Sequence, residues 1–205
     1  MAIAGYKCLV KVSSAPLSLV DEPTTASADF KTYQITDPAK RVLHPTEAIT
    51  VAVNATAVTS GYTLDRLSGK VIFDTALLDT DVVTVSGLYL PLATAAEAYE
   101  LSYTISATNS DRTRFQDAWT RRLQNQLDAS GSFQQWYLTG SDMAEELMSG
   151  NPIVVEYQID GQIDLRAWAL LSSTEPAAQA KEIQTENIQW EGTSDIDGRV
   201  ISNGN

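Results

Sequence analysis

The sequence predicts a mainly β protein: an antiparallel β-sandwich or rolled barrel with one flanking short α-helix. Three observations carry that prediction. Apolar and polar residues alternate along much of the chain, and 3.6-residue periodicity is scarce. Turn dipeptides such as Ser60-Gly61, Ser68-Gly69 and Asp160-Gly161 separate the alternating runs. The length of 205 residues, with 43% hydrophobic and 20% charged residues, suffices for one large domain with a sizeable core. Residues 1–205 are therefore read as a single domain.

A first strand is expected over 3–12, with lysines interrupting its apolar residues, so this stretch does not read as a signal peptide. A short strand follows at 30–35. Short strands at 49–53, 62–64, 70–73 and 82–90 form a cluster bracketed by Pro38 and Pro91. This segment, 37–92, reads as a possible inserted β subdomain or arm. Over 98–105, Tyr99, Leu101, Tyr103 and Ile105 share one face of a half-buried strand.

The segment 113–127 is ambiguous. Phe115, Trp119, Leu123 and Leu127 recur every four residues, which suits a helix. The turn-like composition of 128–132, without a C-terminal stop, favours a short turn and then a strand over 123–136. Residues 141–150 predict the helix: Ser141 or Asp142 caps it, Glu145 completes a capping box, Gly150 stops it and Pro152 prevents continuation.

The clearest hairpin spans 153–171. Ile153, Val155, Tyr157, Leu165, Ala167, Ala169 and Leu171 form its predicted core-facing set. Asp160-Gly161 is the dipeptide favoured by a tight type I′ turn. Strands at 183–190 and 198–201 close the chain. Ile183 and Ile188 have opposite parity, which calls for a bulge or an outward residue.

The formal charge is −12, from 14 basic and 26 acidic residues. It is uneven: residues 1–45 carry +1, residues 46–140 carry −4 and residues 141–205 carry −9. An acidic surface repels nucleic acid over most of its extent. No run approaches the roughly 20 apolar residues that span a bilayer. One cysteine and one histidine exclude a disulfide framework within the chain and most metal clusters.

Catalytic signals are weak. His44 precedes Pro45 with no local nucleophile or orienting group, and reads as a loop histidine. Cys8 reads as a small buried apolar residue. Asp195-Ile196-Asp197-Gly198 lacks the downstream ligands of a calcium loop and reads as a turn. Asn54-Ala55-Thr56 fits a glycosylation pattern, which means little without a secretory signal. Arg112, Arg114, Arg121 and Arg122 form the basic cluster. With no interleaved aromatic ladder, it suits salt bridges to an acidic neighbour better than nucleic acid. No cofactor is expected, and the chain does not read as an enzyme.

Three stretches carry a resemblance. One is Gly61-Tyr62-Thr63-Leu64-Asp65-Arg66-Leu67-Ser68-Gly69-Lys70-Val71-Ile72-Phe73, followed by Asp81-Val82-Val83-Thr84-Val85-Ser86-Gly87-Leu88-Tyr89. The second is Asp128-Ala129-Ser130-Gly131-Ser132-Phe133 with the helix and hairpin after it. The third is the ending Ile188-Gln189-Trp190-Glu191-Gly192-Thr193. In this order they resemble the tail tube (major tail) proteins of long, flexible-tailed bacteriophages, over roughly 60–205.

The resemblance implies a virion protein, made in the host cytoplasm, whose six subunits close into a ring. Inner sheets then join into a β-lined tube, and rings stack along the tail. The implied partners are copies of the chain, a tape-measure protein and DNA in the lumen, and tail terminator and baseplate proteins at the ends. An acidic lining would keep DNA from sticking. Glu156 and Asp164, opposite the apolar set of the hairpin, are the candidate lumen-lining acids. The four arginines are candidate inter-subunit groups. A single-ring virion protein (terminator or baseplate) and a β-sandwich adhesin or carbohydrate-binding module are the rival readings. The second would use exposed platforms among Trp119, Trp136, Trp168 and Trp190, although burial in a core or interface is the more frequent role of such residues.

Overall fold

The computed structural model describes residues 8–94, 98–116, 118–136, 147–159, 162–177 and 184–202. The protein is mainly β, built from two antiparallel sheets, one of them curled into a half-barrel.

The first sheet has eight strands. They are β1 (Cys8–Ser13), β9 (Leu92–Thr94), β10 (Ala98–Asp111), β11 (Arg122–Trp136), β12 (Ile153–Ile159), β13 (Gln162–Ala177), β14 (Thr185–Gly192) and β15 (Ile201–Ser202). The order is β10-β11-β14-β13-β12-β1-β9, with β15 pairing β13 off this path. The second sheet holds β2 (Leu17–Ala26), β3 (Thr32–Ile35), β4 (Thr50–Val53), β5 (Thr56–Val58), β6 (Tyr62–Asp65), β7 (Lys70–Phe73) and β8 (Val83–Tyr89). Its order is β5-β4-β8-β2-β3-β7-β6. The stretch 37–92 lies largely in this sheet, together with β2 and β3 before it.

Strand β2 joins two halves of that second sheet. Its first part pairs β8, its last residues pair β3, and the register slips between Leu19 and Glu22. Asp21 there has φ 44°. An extra residue at a bulge bends a strand and increases its twist. The bulge and Pro23 also break the alternation, which is why β2 does not read as a strand in the sequence.

Alternation decides the cores. Val12, Phe133, Ile153, Val155, Tyr157, Leu165, Ala167, Ala169, Ile188 and Trp190 are buried together, with Leu171 half-buried against them. Leu19, Tyr33, Ile35, Leu43, Val51, Val71, Phe73, Val83 and Val85 form the core of the second sheet. A third cluster, Val42, Leu67, Leu90, Val154 and Trp168, joins the two sheets. The β12–β13 hairpin is therefore covered on both faces.

Strand β12 pairs β13 from Ile153↔Ala169 to Ile159↔Gln162, with a register slip that leaves Asp164 as the extra residue. Asp160 and Gly161 lie outside the described residues, as does Ile183. Of the predicted helix, 141–146 also lies outside them. Residues 147–149 are helical, and Gly150 follows with φ 65°, a left-handed conformation that glycine adopts without Cβ strain. Segment 113–127 is not a helix: a bend at the tip leads into β11.

Candidate assembly surface

The β10–β11 hairpin begins in the first core and ends outside it. At its root, Leu101 and Phe133 pack with Tyr157 and Trp190. Tyr103 stacks on Tyr157, with ring centroids 5.3 Å apart and planes 22° from parallel. The Trp190 Nε1–H donates to the Tyr157 hydroxyl at 2.8 Å. Burial pushes the Tyr157 phenol well above its ordinary value. Gly131 faces this cluster across β11. A Cβ there would lie 2.6 Å from the Ser102 carbonyl oxygen and 2.7 Å from the Trp190 ring, so any side chain at that position would push β10 or Trp190 aside.

Past Ile105 and Ala129 the hairpin leaves the core. Ile105, Leu123 and Leu127 are exposed, Trp119 is 84% exposed and Phe115 fully so. Register holds to Asp111↔Arg122, and the Arg112 amide donates to the Arg121 carbonyl at 2.8 Å. Arg112, Arg114, Arg121 and Arg122 line one concave surface at the tip, and all four are exposed. The Asp111 carboxylate accepts from the Thr113 amide at 2.8 Å and the Thr113 hydroxyl at 2.5 Å. Those bonds hold its carboxyl below the usual range.

Strand β10 is also an edge. Among the described residues, its one ladder partner over its 14 residues is β11. An edge of this length presents a row of backbone donors and acceptors to another chain. The opposite edge of the sheet is the three-residue β9 beside β1.

Glu156 corrects the sequence reading. It is fully buried and not a surface acid. The face opposite the apolar set is covered by Val42, Leu67 and Leu90, in connections that leave the strands of the second sheet, so its position there does not make it solvent-facing. Arg166 Nε donates to Oε2 at 2.5 Å, Gln158 Nε2 donates to Oε1 at 2.6 Å, and Lys11 Nζ lies 3.0 Å from Oε1. Burial works to raise the Glu156 carboxyl, but Arg166 and Lys11 outweigh it and hold the group below its ordinary value. Arg166 also donates to the Leu67 carbonyl at 2.9 Å, binding the two sheets. Glu156 cannot line a channel from this place. The Asp164 side chain lies outside the described ones.

The C-terminal turn reinforces the same junction. Asp195 accepts from the amides of Asp197 and Arg199, at 3.0 and 2.8 Å, and from Trp168 Nε1 at 3.3 Å. Its carboxylate closes a turn. Arg66 pairs with Asp197 at 2.7 Å, and Asp65 with Arg199 at 3.3 Å. Sequence reasoning missed these pairs because their members are more than a hundred residues apart.

The remaining candidates have local roles. His44 Nδ1 accepts from the amides of Thr46 and Glu47, at 3.3 and 3.2 Å. Asn54 exchanges hydrogen bonds with the Asp81 carboxylate and the Val82 amide. Cys8 lies in β1, its side chain outside the described ones. Trp168 and Trp190 are buried, Trp136 is half-buried, and Trp119 alone of the four is exposed. Among the described residues, no three His, Cys, Asp or Glu side chains are grouped to hold a metal ion. No helix among them is long and apolar enough to cross a membrane.

No protein-family model matches the chain, and no curated protein is significantly similar to it. Among solved structures it is similar to a chain from the tail of an empty gene transfer agent particle with C6 symmetry. That similarity has 13% identity and a TM-score of 0.47, and covers 55% of this chain and 86% of the other. It is also similar to a chain from the virion of a native gene transfer agent particle, at 14% identity and TM-score 0.45, covering 55% and 88%.

Proposed function

We propose that this chain is a non-enzymatic structural protein of a phage virion, a tail tube subunit that closes into rings, six subunits to a ring, and stacks into a tube. The observation that carries the reading is the open edge of β10 together with the exposed apolar arm beyond it. A 14-residue edge strand calls for a pairing partner, and ring closure supplies one. The motifs at 61–89, 128–133 and 188–193 support the same reading. In it, DNA and a tape-measure protein occupy the lumen without sequence-specific contacts, and terminator and baseplate proteins close the ends. The acidity of the chain suits a conduit for DNA, since a fixed negative wall repels phosphates within about 10 Å at ~0.1 M salt. With Glu156 buried, that wall must draw on other acids.

Light scattering and negative-stain microscopy of the purified chain test the reading. Stacked rings or tubes are the expected result. Single closed rings would favour a terminator or baseplate component. A stable monomer at high concentration that binds glycans through Trp119 would replace the reading with that of an adhesin.

A further inference from the structure

The exposed arm tip has a counterpart elsewhere on the molecule. Between β7 and β8 the chain runs Asp74-Thr75-Ala76-Leu77-Leu78-Asp79-Thr80-Asp81-Val82, with three carboxylates and no base. Leu78 is 68% and Val82 60% exposed. Asp81 shapes the loop by accepting from the Leu78 amide at 2.9 Å and from Asn54 Nδ2 at 2.8 Å. None of the three acids forms an ion pair among the described residues. Other exposed aliphatic patches differ. Beside Leu17 and Val20, Glu22 is paired with Lys40 at 2.7 Å, and Asp21, exposed and bonded to the Ser86 hydroxyl, is the one acid there without an ion pair among the described residues, against three in the 74–82 loop. Beside Ile196, Asp195 is buried and Asp197 is paired with Arg66.

The arm tip is complementary in both respects. It presents two exposed aromatics and four exposed arginines against one described acid, Asp111, where the 74–82 loop presents two exposed aliphatics and three acids, with Lys31 Nζ donating to the Asp74 carbonyl beside them. Aromatic and arginine side chains are the residue types that anchor interfaces. Opposed charge with a partly apolar contact steers and registers the encounter. The two surfaces belong to different sheets of one molecule.

We infer that the β10–β11 arm tip docks on the 74–82 loop of a second copy of the chain, with Phe115 and Trp119 against Leu78 and Val82 and the arginines against Asp74 and Asp79. The contact is head-to-tail, the kind that generates rings or filaments. It names the partner surface of the arm within the assembly reading, on which it rests.

Charge reversal in the full-length chain tests it. One variant carries Arg112→Glu, Arg114→Glu, Arg121→Glu and Arg122→Glu. A second carries Asp74→Lys and Asp79→Lys, and a third carries all six changes. Sedimentation velocity reads assembly, and thermal unfolding confirms folding. The expected result is loss of large species in each of the first two and their return in the third. If either reversal alone assembles like the unmodified chain, or the six-fold variant stays small while folded, the docking is overturned and the assembly reading stands. If the unmodified chain never assembles, both fall. Should a reversal prevent folding, the milder sets Arg112→Gln with Arg122→Gln and Asp74→Asn with Asp79→Asn replace it. Each is expected to weaken assembly and flatten its dependence on salt. Unchanged assembly and salt dependence would overturn the contact.

Discussion

Two hairpins of one sheet differ in what covers them. Hairpin β12–β13 is buried on both faces: Val155 and Tyr157 sit in the first core, and Val154 and Trp168 sit between the sheets. Hairpin β10–β11 has a buried root and an exposed outer half carrying Phe115, Trp119, Leu123 and Leu127. Both sequences contain apolar residues in number. The difference teaches that apolar content places a strand against something, while the identity of that something depends on segments far away in the chain. For β12–β13 it is the connections that leave the strands of the second sheet. For the arm, the proposal supplies another copy.

Val155→Asp places an unpaired charge in a closed core, and is expected to cost several kcal/mol or prevent folding. The same change at exposed Leu123 is expected to stay within about 0.5 kcal/mol while weakening assembly. Chemical denaturation of both variants checks the contrast, and equal losses would contradict it.

Next in size is Arg166→Leu, which leaves the buried Glu156 with Lys11 as its one cationic partner among the described residues. Removing one partner of a buried pair typically costs about 3–5 kcal/mol. Glu156→Gln with Arg166→Met is expected to cost less, since the charge it leaves unpaired, Lys11, is partly exposed and open to water. Denaturant midpoints of the two variants rank them.

The junction also responds to acid. Its carboxyl lies lower in the folded chain than its ordinary value, so the stability it contributes is present above the normal glutamate range near ~4.3. That stability disappears as pH falls through the lower, folded value. Thermal unfolding from neutral pH down to about pH 3 should show the wild type losing a component that Glu156→Gln lacks. Parallel curves would refute the link.

Gly131→Ala is smaller. Its methyl group meets Trp190 and the Ser102 carbonyl, and overpacking of this kind costs about 1–3 kcal/mol. Denaturation should register the loss at the arm's root, where Tyr103 stacks on Tyr157.

Much of the fold was legible because alternation is local. The β12–β13 pairing and the burial of Ile153, Val155, Tyr157, Leu165, Ala167 and Ala169 follow from parity along two adjacent segments. Strand β2 was not legible, since a bulge and Pro23 interrupt its pattern. Nor was the burial of Glu156: parity says which residues share a face, and only the connections that leave the second sheet's strands decide whether the other face meets water. The arm was half legible. Four-residue spacing from Phe115 to Leu127 imitates a helix, while the arginines around it mark an exposed tip.

The most direct measurement is amide hydrogen exchange along β10, on the full-length chain concentrated and then diluted. The account predicts that the open-edge amides between residues 100 and 111 are protected in the concentrated, assembled protein and exchange freely on dilution. Equal, rapid exchange of those amides at every concentration would contradict it.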